Sequence, residues 1–242
     1  MNTALKAIID KSKRIAFLGG AGLSTESGIP DFRSSNGIYH AVQTYGFPPE
    51  DLLSHDFFVH CPDMFFDYYR KNLIYPDAKP NNAHKALAKL EKEGQLTAVI
   101  TQNIDNLHQQ AGSKNVLELH GSVYRNYCTR CRKFYSVEKI LDSIGIPTCD
   151  CGGIIKPDVV LYGEGLDEHI LTSSIRAIRN ADTLIVGGTS LAVYPAAGLI
   201  DYFRGDDLVL INLSSTPRDH DATLCVHEKI GEALSFVLES DT

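Results

Sequence analysis

Short continuous apolar runs alternate with amphipathic segments along most of the chain. The runs have the length of strands that are buried on both faces, and most end at glycine or at polar residues. They lie at residues 14–18, 96–101, 116–119, 183–186 and 208–211. Strands that alternate with helices imply a mostly parallel sheet. We therefore predict an α/β fold with a Rossmann-like, mostly parallel sheet and helices on both faces.

The segments between the apolar runs carry helix signals. Leu5, Ile8 and Ile9 form one apolar face ahead of the first run. The asparagine pair at 81–82 can cap a helix that Gly94 stops, because asparagine suits an N-cap and glycine suits a C-terminal end. Further helices are predicted at 167–179, from residue 195 and at 228–238.

Two segments break this rhythm and predict a smaller domain. Residues 35–37 are predicted as loop and are followed by aromatic-rich helices at 50–60 and 62–73. We interpret the stripe of Met64, Phe65, Tyr68 and Tyr69 as core and not as a cofactor site, since such stripes at helical spacing usually pack. The second break, at 122–157, holds paired cysteines. The predicted division is a Rossmann-like domain of residues 1–34, 76–121 and 158–242, with a helical insertion (35–75) and a zinc-ribbon module (122–157) forming the small domain.

A glycine-rich stretch follows the first predicted strand. Gly20-Ala21-Gly22 can let the backbone approach a pyrophosphate, and a helix start beside it favours an anion. Thr25 stands where a dinucleotide motif has its third glycine, so a simple strand-to-helix turn remains an alternative. In the loop that follows, Asp31 can bind an amide, Phe32 can cover a flat ring and Arg33 can bind a phosphate.

Polar residues follow two further strands at their C-terminal ends, where ligands of open α/β sheets bind. Gln102, Asn103 and Asp105 come after one strand, although asparagine and aspartate are also common in turns and caps. His120 comes after another, directly before Gly121. A histidine pKa lies near ~6.5, so this side chain can accept a proton at neutral pH.

The cysteine pairs have the spacing of a metal site. Cys128 and Cys131 are separated by two residues, and Cys149 and Cys151 follow about twenty positions later. Four thiolates around Zn²⁺ leave no open coordination position, which predicts one structural zinc. The second pair is Cys-x-Cys, where Cys-x-x-Cys is usual. Cys149 is therefore the ligand that departs from the usual pattern.

Composition restricts the classes of partner and the compartment. A formal net charge of −7 argues against nucleic acid and anionic membranes as partners, because both need basic surface. No apolar run reaches the ~18–20 residues that cross a bilayer, and the charged N-terminus is unlike a secretory signal. The paired cysteines predict a reducing cytoplasmic location.

The stretch from Gly19 to Ser34 resembles, almost residue for residue, the signature of the sirtuins. Three other segments are similar to the family's motifs: residues 101–108, 159–164 and 187–195. The chain is thus identified as a member of a family of NAD-dependent protein lysine deacetylases, of the bacterial and archaeal, zinc-containing type. The resemblance extends from about residue 10 to 235. It implies NAD and one zinc ion as cofactors and acyl-lysine proteins or peptides as partners.

The resemblance also implies roles for individual residues. His120 would be the general base, and Asn103 would order the nicotinamide ribose and nearby water. The NAD-binding residues would be Gly20, Ala21, Gly22, Thr25, Asp31, Phe32, Arg33, Gln102, Ile104, Asp105, His120, Thr189, Ser190, Asn212 and Ile230. The substrate peptide would lie against Val160, Tyr162, Gly163, Glu164, Leu191 and Val193.

The implied reaction is ADP-ribosyl transfer to an acyl oxygen. The acyl-lysine carbonyl would attack C1′ of the ribose, nicotinamide would leave, and His120 would take a proton so that the 2′-oxygen attacks the acyl carbon. The products would be free lysine, nicotinamide and O-acetyl-ADP-ribose. The alternatives are a protein mono-ADP-ribosyltransferase, a Rossmann oxidoreductase and a non-enzymatic zinc-ribbon module.

The same resemblance predicts that the acyl group is small and uncharged. Sirtuins that remove succinyl or malonyl groups carry a Tyr-x-x-Arg pair, and the two positions fall on Phe66 and Tyr69 here. A buried carboxylate would then lack its counter-ion, which is costly. A one-residue slip of the helix would instead aim Arg70 inward.

Overall fold

The computed structural model describes residues 2–31, 35–192 and 194–239, and within them the strands form two sheets. The strands are β1 (Ile15–Gly19), β2 (Leu96–Thr101), β3 (Val116–Glu118), β4 (Gly121–Cys128), β5 (Phe134–Tyr135), β6 (Ile155–Val159), β7 (Thr183–Gly187), β8 (Asp207–Ile211) and β9 (Leu224–Val226).

Helices surround both sheets. They are α1 (Thr3–Lys11), α2 (Ala21–Ser24), α3 (Ser35–Tyr45), α4 (Pro49–Leu52), α5 (His55–His60), α6 (Pro62–Asn72), α7 (Asn82–Lys92), α8 (Leu107–Ala111), α9 (Val137–Asp142), α10 (Glu168–Asn180), α11 (Ile230–Ala233) and α12 (Ser235–Glu239). Short 3₁₀ helices cover Thr25–Ser27, Ala196–Tyr202 and Asp219–Asp221.

The larger sheet has six strands in the order β3-β2-β1-β7-β8-β9, and all neighbouring pairs run parallel. The chain moves outward from β1 to β3 and then returns to the other side of β1 with β7. The strand order therefore reverses between β1 and β7. In sheets of this kind the crevice at the C-terminal ends of those two strands is where ligands bind. The predicted Rossmann-like parallel sheet is confirmed.

Alternation along each strand divides the core between the two faces of this sheet. Ile15 and Phe17 point to one face, which is covered by α1, α7, α11 and α12. Ala16 and Leu18 point to the other, which is covered by α10 and the 3₁₀ helix that follows β7. Because both faces are buried, the strands need no polar positions, which explains their continuous apolar sequence.

Several predicted boundaries were wrong. Residues 35–37 begin α3 and are not a loop. A single glycine costs a helix only ~1 kcal/mol, and α3 is also anchored by Ala41, which is buried in the core of the smaller domain. The predicted helix 50–60 is two helices. Ser54 starts the second, and its side chain accepts a hydrogen bond from the Phe57 backbone N–H at 3.1 Å.

Further differences lie near the C-terminus and in the aromatic stripe. The helix predicted from Pro195 is a 3₁₀ helix, and the closing helix is divided into α11 and α12. Strand β9 was not predicted. In the stripe, Phe65, Tyr68 and Tyr69 are buried as predicted, whereas Met64 lies at the surface.

A second core holds the remaining elements together. The antiparallel sheet β5-β4-β6 packs with helices α3 to α6 and α9 around Phe65, Phe66 and Ile140. Arg70 ties α6 to the cysteine module by donating to the backbone carbonyl of Ile140 at 2.8 Å and to that of Gly145.

Two buried histidines, one on α7 and one on α8, pack against each other. His84 of α7 and His108 of α8 are 0% and 2% exposed, and their ring centroids are 4.8 Å apart. Nε2 of His84 and both ring nitrogens of His108 have no hydrogen-bond partner among the described residues. Burial, with the neighbouring His108, lowers the pKa of His84 to about 2, and burial lowers the pKa of His108 to about 4.

The four paired cysteines form one cluster. All four sulfur atoms lie within 4.8 Å of one another, with Cys128 Sγ 3.4 Å from Cys151 Sγ and Cys131 Sγ 3.6 Å from Cys149 Sγ. Tetrahedral Zn²⁺ with Zn–S bonds of ~2.3 Å needs sulfur atoms about 3.8 Å apart. The shortened Cys-x-Cys pair therefore still brings Cys149 into place.

The surroundings of the cluster also suit a bound metal. Backbone N–H groups of Arg130 and Cys131 face Cys128 Sγ at 3.4 and 3.5 Å, and the Tyr135 hydroxyl donates to Cys149 Sγ at 3.1 Å. A Cβ atom at Gly153 would lie 2.7 Å from Cys128 Sγ, so glycine is required there. Hydrogen bonds of this kind stabilise thiolates and orient metal ligands. A zinc ion held by four cysteines is structural.

No helix in the described part of the chain is both long enough and apolar enough to span a membrane.

The buried histidine pair predicts acid sensitivity. The folded-state pKa values lie below the ordinary value, so the unfolded chain takes up protons first as the pH falls below ~6.5. The free energy of unfolding should fall by about 2 kcal/mol for each histidine between pH 7 and pH 5. Urea unfolding at the two pH values measures this. His108→Gln should remove about half of the fall, and the exposed-site control His169→Gln should remove none. An unchanged fall in His108→Gln would contradict the prediction.

The cysteine cluster predicts equal dependence on both pairs. Cys149→Ser should release about one equivalent of zinc and lower Tm, because metal binding contributes to the folding free energy. Metal analysis and calorimetry on the purified protein measure both quantities. Cys61, an exposed cysteine outside the cluster, gives the matched control Cys61→Ser. A Cys149→Ser protein with a full equivalent of zinc and an unchanged Tm would show that Cys149 is not a ligand.

Candidate active site

A cavity of about 430 Å³ opens where the strand order of the parallel sheet reverses. It is bounded by the loops after β1, β2 and β7 and by residues 159–164, which follow β6. Most of the predicted site residues line it: Gly20, Ala21, Asp31, Gln102, Asn103, Ile104, Asp105, His120, Val160, Tyr162, Gly163, Glu164, Thr189 and Ser190.

Backbone contacts between two glycine turns form one side of the cavity. The N–H of Gly22 donates to the Gly188 carbonyl at 2.8 Å, and the N–H of Gly20 donates to the Gly187 carbonyl at 3.2 Å. A Cβ atom at Gly22 would lie 2.8 Å from Gly188 Cα. Gly188 itself has a φ of 62°, a conformation that favours glycine. Glycine is needed on both sides because the two loops meet backbone to backbone.

A chain of polar side chains joins the first two loops. Asn103 Nδ2 donates to the Gly20 carbonyl and to Ser24 Oγ, each at 3.0 Å. Ser24 Oγ donates in turn to Asp105 Oδ2 at 2.6 Å, and the Leu107 N–H donates to Asp105 Oδ1 at 3.0 Å. Each group is thereby held in one orientation at the cavity wall.

Asp105 has a perturbed carboxyl group. Burial raises its pKa above the ordinary value, and the hydrogen bonds from Ser24 and the Leu107 backbone offset only part of that rise. A buried carboxyl group whose ionised form is disfavoured is typical of a functional position.

The geometry of His120 fixes its tautomer. Nδ1 lies 2.9 Å from the backbone carbonyl of Gln102. A carbonyl oxygen only accepts, so Nδ1 carries a proton, and in the neutral imidazole Nε2 then carries the lone pair. The ring is half-buried at the cavity, between the end of β3 and the start of β4. His120 is therefore oriented to accept a proton at Nε2.

A second polar chain joins β2, β7 and β8 at the same edge of the sheet. Gln102 Nε2 donates to Thr189 Oγ1 at 3.1 Å, and the Thr189 N–H donates to Asn212 Oδ1 at 3.0 Å. Asn212 Nδ2 is buried and has no partner among the described residues. An unpartnered buried donor beside a cavity suits a ligand that carries acceptor oxygens, such as the ribose of a dinucleotide.

Residues 159–164 form the opposite wall. Tyr162 pairs with the chain before α5, its N–H donating to the Leu53 carbonyl at 3.0 Å and its carbonyl accepting from the His55 N–H at 2.9 Å. Glu164 accepts from the Leu161 N–H at 2.9 Å and from Lys156 Nζ at 3.0 Å. The carboxylate of Glu164 is thus used within the wall, which holds this segment in shape.

Other predicted site residues lie outside the cavity lining. Thr25 is exposed, and its hydroxyl donates to the Gly22 carbonyl at 2.8 Å. The side chains of Ile230 and Leu191 are buried in the cores on the two faces of the sheet. Gly22 and Asn212 support the lining through the contacts above. Phe32, Arg33 and Val193 lie outside the described residues.

The sequence analysis missed some residues at the site. Ser24 joins Asn103 to Asp105, and its place one turn after Gly20 in the glycine-rich stretch was the available signal. Leu73, directly after α6, and Tyr75 also line the cavity, and no local pattern marked them. Tyr69 lines the cavity as well, and the resemblance had already placed this position at the acyl group.

The aspartate, glutamate, lysine and arginine side chains that line the described part of the cavity are all acidic. Among its described lining residues there is no lysine or arginine, whereas Asp31, Asp105 and Glu164 are present. Arg70, which a helix slip would have aimed inward, instead bonds to carbonyls of the cysteine module.

Comparisons with known proteins agree with this geometry. A model of the Sir2 family matches residues 20–195. An NAD-dependent protein deacetylase of Clostridium perfringens is 60% identical over 237 residues, which cover 97% of each chain. A Sir2 structure with a deacetylated p53 peptide and 3′-O-acetyl-ADP-ribose has a TM-score of 0.88 and 44% identity, and covers 100% of this chain and 98% of that one. A Sir2 structure with a propionylated peptide has a TM-score of 0.85 and 43% identity, covering 99% and 98%. The chain belongs to the Sir2 family.

Proposed function

We propose that this chain is an NAD-dependent protein lysine deacetylase that transfers the acyl group of acyl-lysine to ADP-ribose. The observation that carries the proposal is the position of His120. Its proton-accepting Nε2 belongs to a ring at the cavity between the glycine turns and the wall of residues 159–164. A dinucleotide bound at the turns and a peptide bound at the wall would meet there.

The residues of the loops after β1 and β2 suit the nicotinamide end of NAD. Asn103, Ser24 and Asp105 present an oriented set of amide, hydroxyl and carboxyl groups, with Ile104 between them as an apolar contact. Such a set can bind a carboxamide and exclude bulk water. When bound, NAD supplies the ribose carbon that the acyl oxygen attacks and the nicotinamide that leaves.

The residues of the loops after β1, β7 and β8 suit the rest of the dinucleotide. A Cβ atom at Gly20 would lie 2.8 Å from Thr189 Cβ, so glycine leaves the backbone open beside Thr189, where a pyrophosphate can approach. Asn212 Nδ2 offers a donor to a ribose hydroxyl. An acidic residue is not needed to bind the ribose. The Asn212 side-chain amide can donate to the ribose with Nδ2, while its Oδ1 accepts from the Thr189 N–H.

His120 would act as the general base. With Nδ1 donating to Gln102, Nε2 can take a proton from a hydroxyl of the bound substrate and so raise the nucleophilicity of its oxygen. A protein mono-ADP-ribosyltransferase would not need a wall that binds an acyl-lysine peptide beside this base. No contact in the described part of the chain favours that alternative.

The substrate peptide would bind along residues 160–164. Val160 and Tyr162 fix the start of this segment through hydrogen bonds to His120 and to the Leu53–His55 segment, and the chain then turns at residues 161–164. A peptide added to an extended segment is recognised mainly through its main chain. This arrangement supports acyl-lysine proteins of varied sequence as partners.

The two cores support the predicted division of the chain. Residues 1–34, 76–121 and 158–242 would bind NAD, and residues 35–75 and 122–157 would form the small domain with its structural zinc. As a group-transfer enzyme it would be classed as a transferase. Four cysteines placed as metal ligands, with no disulfide among them, are typical of a reducing compartment, which supports a cytoplasmic location.

The assignment of His120 predicts a selective loss of activity. His120→Ala should lower kcat on an acetyl-lysine peptide at least a hundredfold, because it removes the proton acceptor. NAD binding, followed by calorimetry, should change little. His169, exposed on α10, gives the control His169→Ala. Retention of more than a tenth of wild-type turnover in His120→Ala would rule out this role.

The charge of the cavity predicts the acyl preference. A succinyl carboxylate would enter a site whose described lining has no cation, and the loss of even ~3–4 kcal/mol of transition-state binding lowers kcat/KM by two to three decades. At saturating NAD, we expect kcat/KM for the acetyl and butyryl peptides to be about two to three decades higher than kcat/KM for a matched succinyl peptide. A succinyl peptide that equals the acetyl peptide would contradict the counter-ion argument.

A further inference from the structure

The pairing between β4 and β6 is interrupted directly after the proposed general base. Ser122 pairs with Asp158, but the next pair is Asn126 with Pro157, only one residue further along β6. In the described sheet, residues 123–125 pair with no residue of β6 and therefore form a bulge. Bulges are common beside active sites, where they re-aim side chains. This bulge adjoins the junction between the two sheets.

The bulge makes contact with three elements around the cavity. The Val123 N–H donates to the Ile104 carbonyl, in the loop after β2, at 3.1 Å. The Arg125 side chain pairs with two carboxylates on different strands. Its Nη1 lies 2.7 Å from Glu118 Oε2 at the end of β3, and its Nε donates to Asp158 Oδ2 of β6 at 2.8 Å.

The places of the two carboxylates in the chain connect Arg125 to the site. Glu118 stands two residues before His120, and Asp158 stands two residues before Val160. The Val160 N–H donates to the His120 carbonyl at 3.1 Å. One guanidinium therefore joins the strand that leads to the base to the strand that leads to the wall of residues 159–164. A planar guanidinium presents its donors in a rigid fork, so it fixes the relative position of the two carboxylates.

Stability accounts for only one of the two ion pairs. The Glu118 side chain is 10% exposed, and its second oxygen accepts from Gln109 Nε2 at 2.8 Å. Removing Arg125 would leave this carboxylate buried without a counter-ion, which is destabilising. The Asp158 side chain is 42% exposed, and an ion pair that is open to solvent contributes little to stability. The link from Arg125 to Asp158 therefore calls for a different role.

We propose that Arg125 is a positioning residue for the acyl-transfer step, which fixes the wall of residues 159–164 relative to His120 through Glu118 and Asp158. The proposal rests on the proposed deacetylase function. The wall keeps its own hydrogen bonds without Arg125, so peptide binding should change little when the arginine is lost. Misplacement of reacting groups by a fraction of an ångström lowers the rate of the chemical step. The effect should therefore appear in kcat.

Two single variants cut the link from opposite ends: Arg125→Met and Asp158→Ala. With an acetyl-lysine peptide at saturating NAD, each should lower kcat about tenfold, and the combined variant should lower kcat no further than Arg125→Met. The peptide KM and the Kd for NAD should each change less than threefold. Counting NAD-binding sites by calorimetry gives kcat per folded molecule. Arg218→Met, which also removes an arginine from two carboxylates (Asp201 and Asp221), is the matched control and should keep kcat within twofold.

Melting temperatures separate positioning from stability. Arg125→Met should lower Tm because Glu118 loses its counter-ion, and the double variant Arg125→Met/Glu118→Gln should regain most of that loss. The kcat of the double variant should stay low, because the link to Asp158 is still missing. Asp158→Ala should have nearly the wild-type Tm, so it tests the proposal even if Arg125→Met does not fold.

Several results would overturn the proposal. They are recovery of kcat together with Tm in the double variant, wild-type kcat in Asp158→Ala, and additive losses in the combined variant. A loss that appears in the peptide KM or in the Kd for NAD instead of in kcat would overturn it too. Wild-type turnover keeps the two claims distinct: its absence would refute the deacetylase function itself, whereas its presence with unchanged kcat in Asp158→Ala refutes only the role of Arg125.

Discussion

The structure depends on a direct backbone contact between two loops at the edge of the parallel sheet. The turn after β1 and the turn after β7 meet through hydrogen bonds of 2.8 and 3.2 Å, with no side chain between them. Only glycine at 22 and 188 permits this approach. The contact brings Thr189 beside Gln102 and Asn212, at the edge of the sheet where the strand order reverses and the cavity opens.

The second constraint lies at the junction of the two sheets. His120 lies between β3 and β4, and Gly121, the first residue of β4, has a φ of 76°. A Cβ atom at Gly121 would lie 1.9 Å from the Asp158 carbonyl oxygen, so glycine is required for β6 to approach the backbone directly after His120. The cysteine cluster closes the far end of the same sheet, where β4 ends at Cys128. A structural metal can therefore influence the site only by holding the frame in which His120 sits.

The parallel sheet could be predicted from the sequence because its strands are buried on both faces, which makes them continuous apolar runs of strand length, such as 96–101. The four cysteines could be predicted from their spacing, although only the coordinates show that Cys149 reaches the cluster. The helical insertion was harder. Its helices follow packing in the small core, so the start of α3 and the place of Leu73 and Tyr75 at the cavity depend on residues distant in the chain.

The central claim is that one cavity joins a dinucleotide to an acyl-lysine at His120. Mass spectrometry of the products from NAD and an acetyl-lysine peptide tests it most directly. The account predicts nicotinamide, the free-lysine peptide and O-acetyl-ADP-ribose in equal amounts. ADP-ribose attached to the peptide, with the acetyl group still on lysine, would contradict it, as would reduced NAD in place of nicotinamide release.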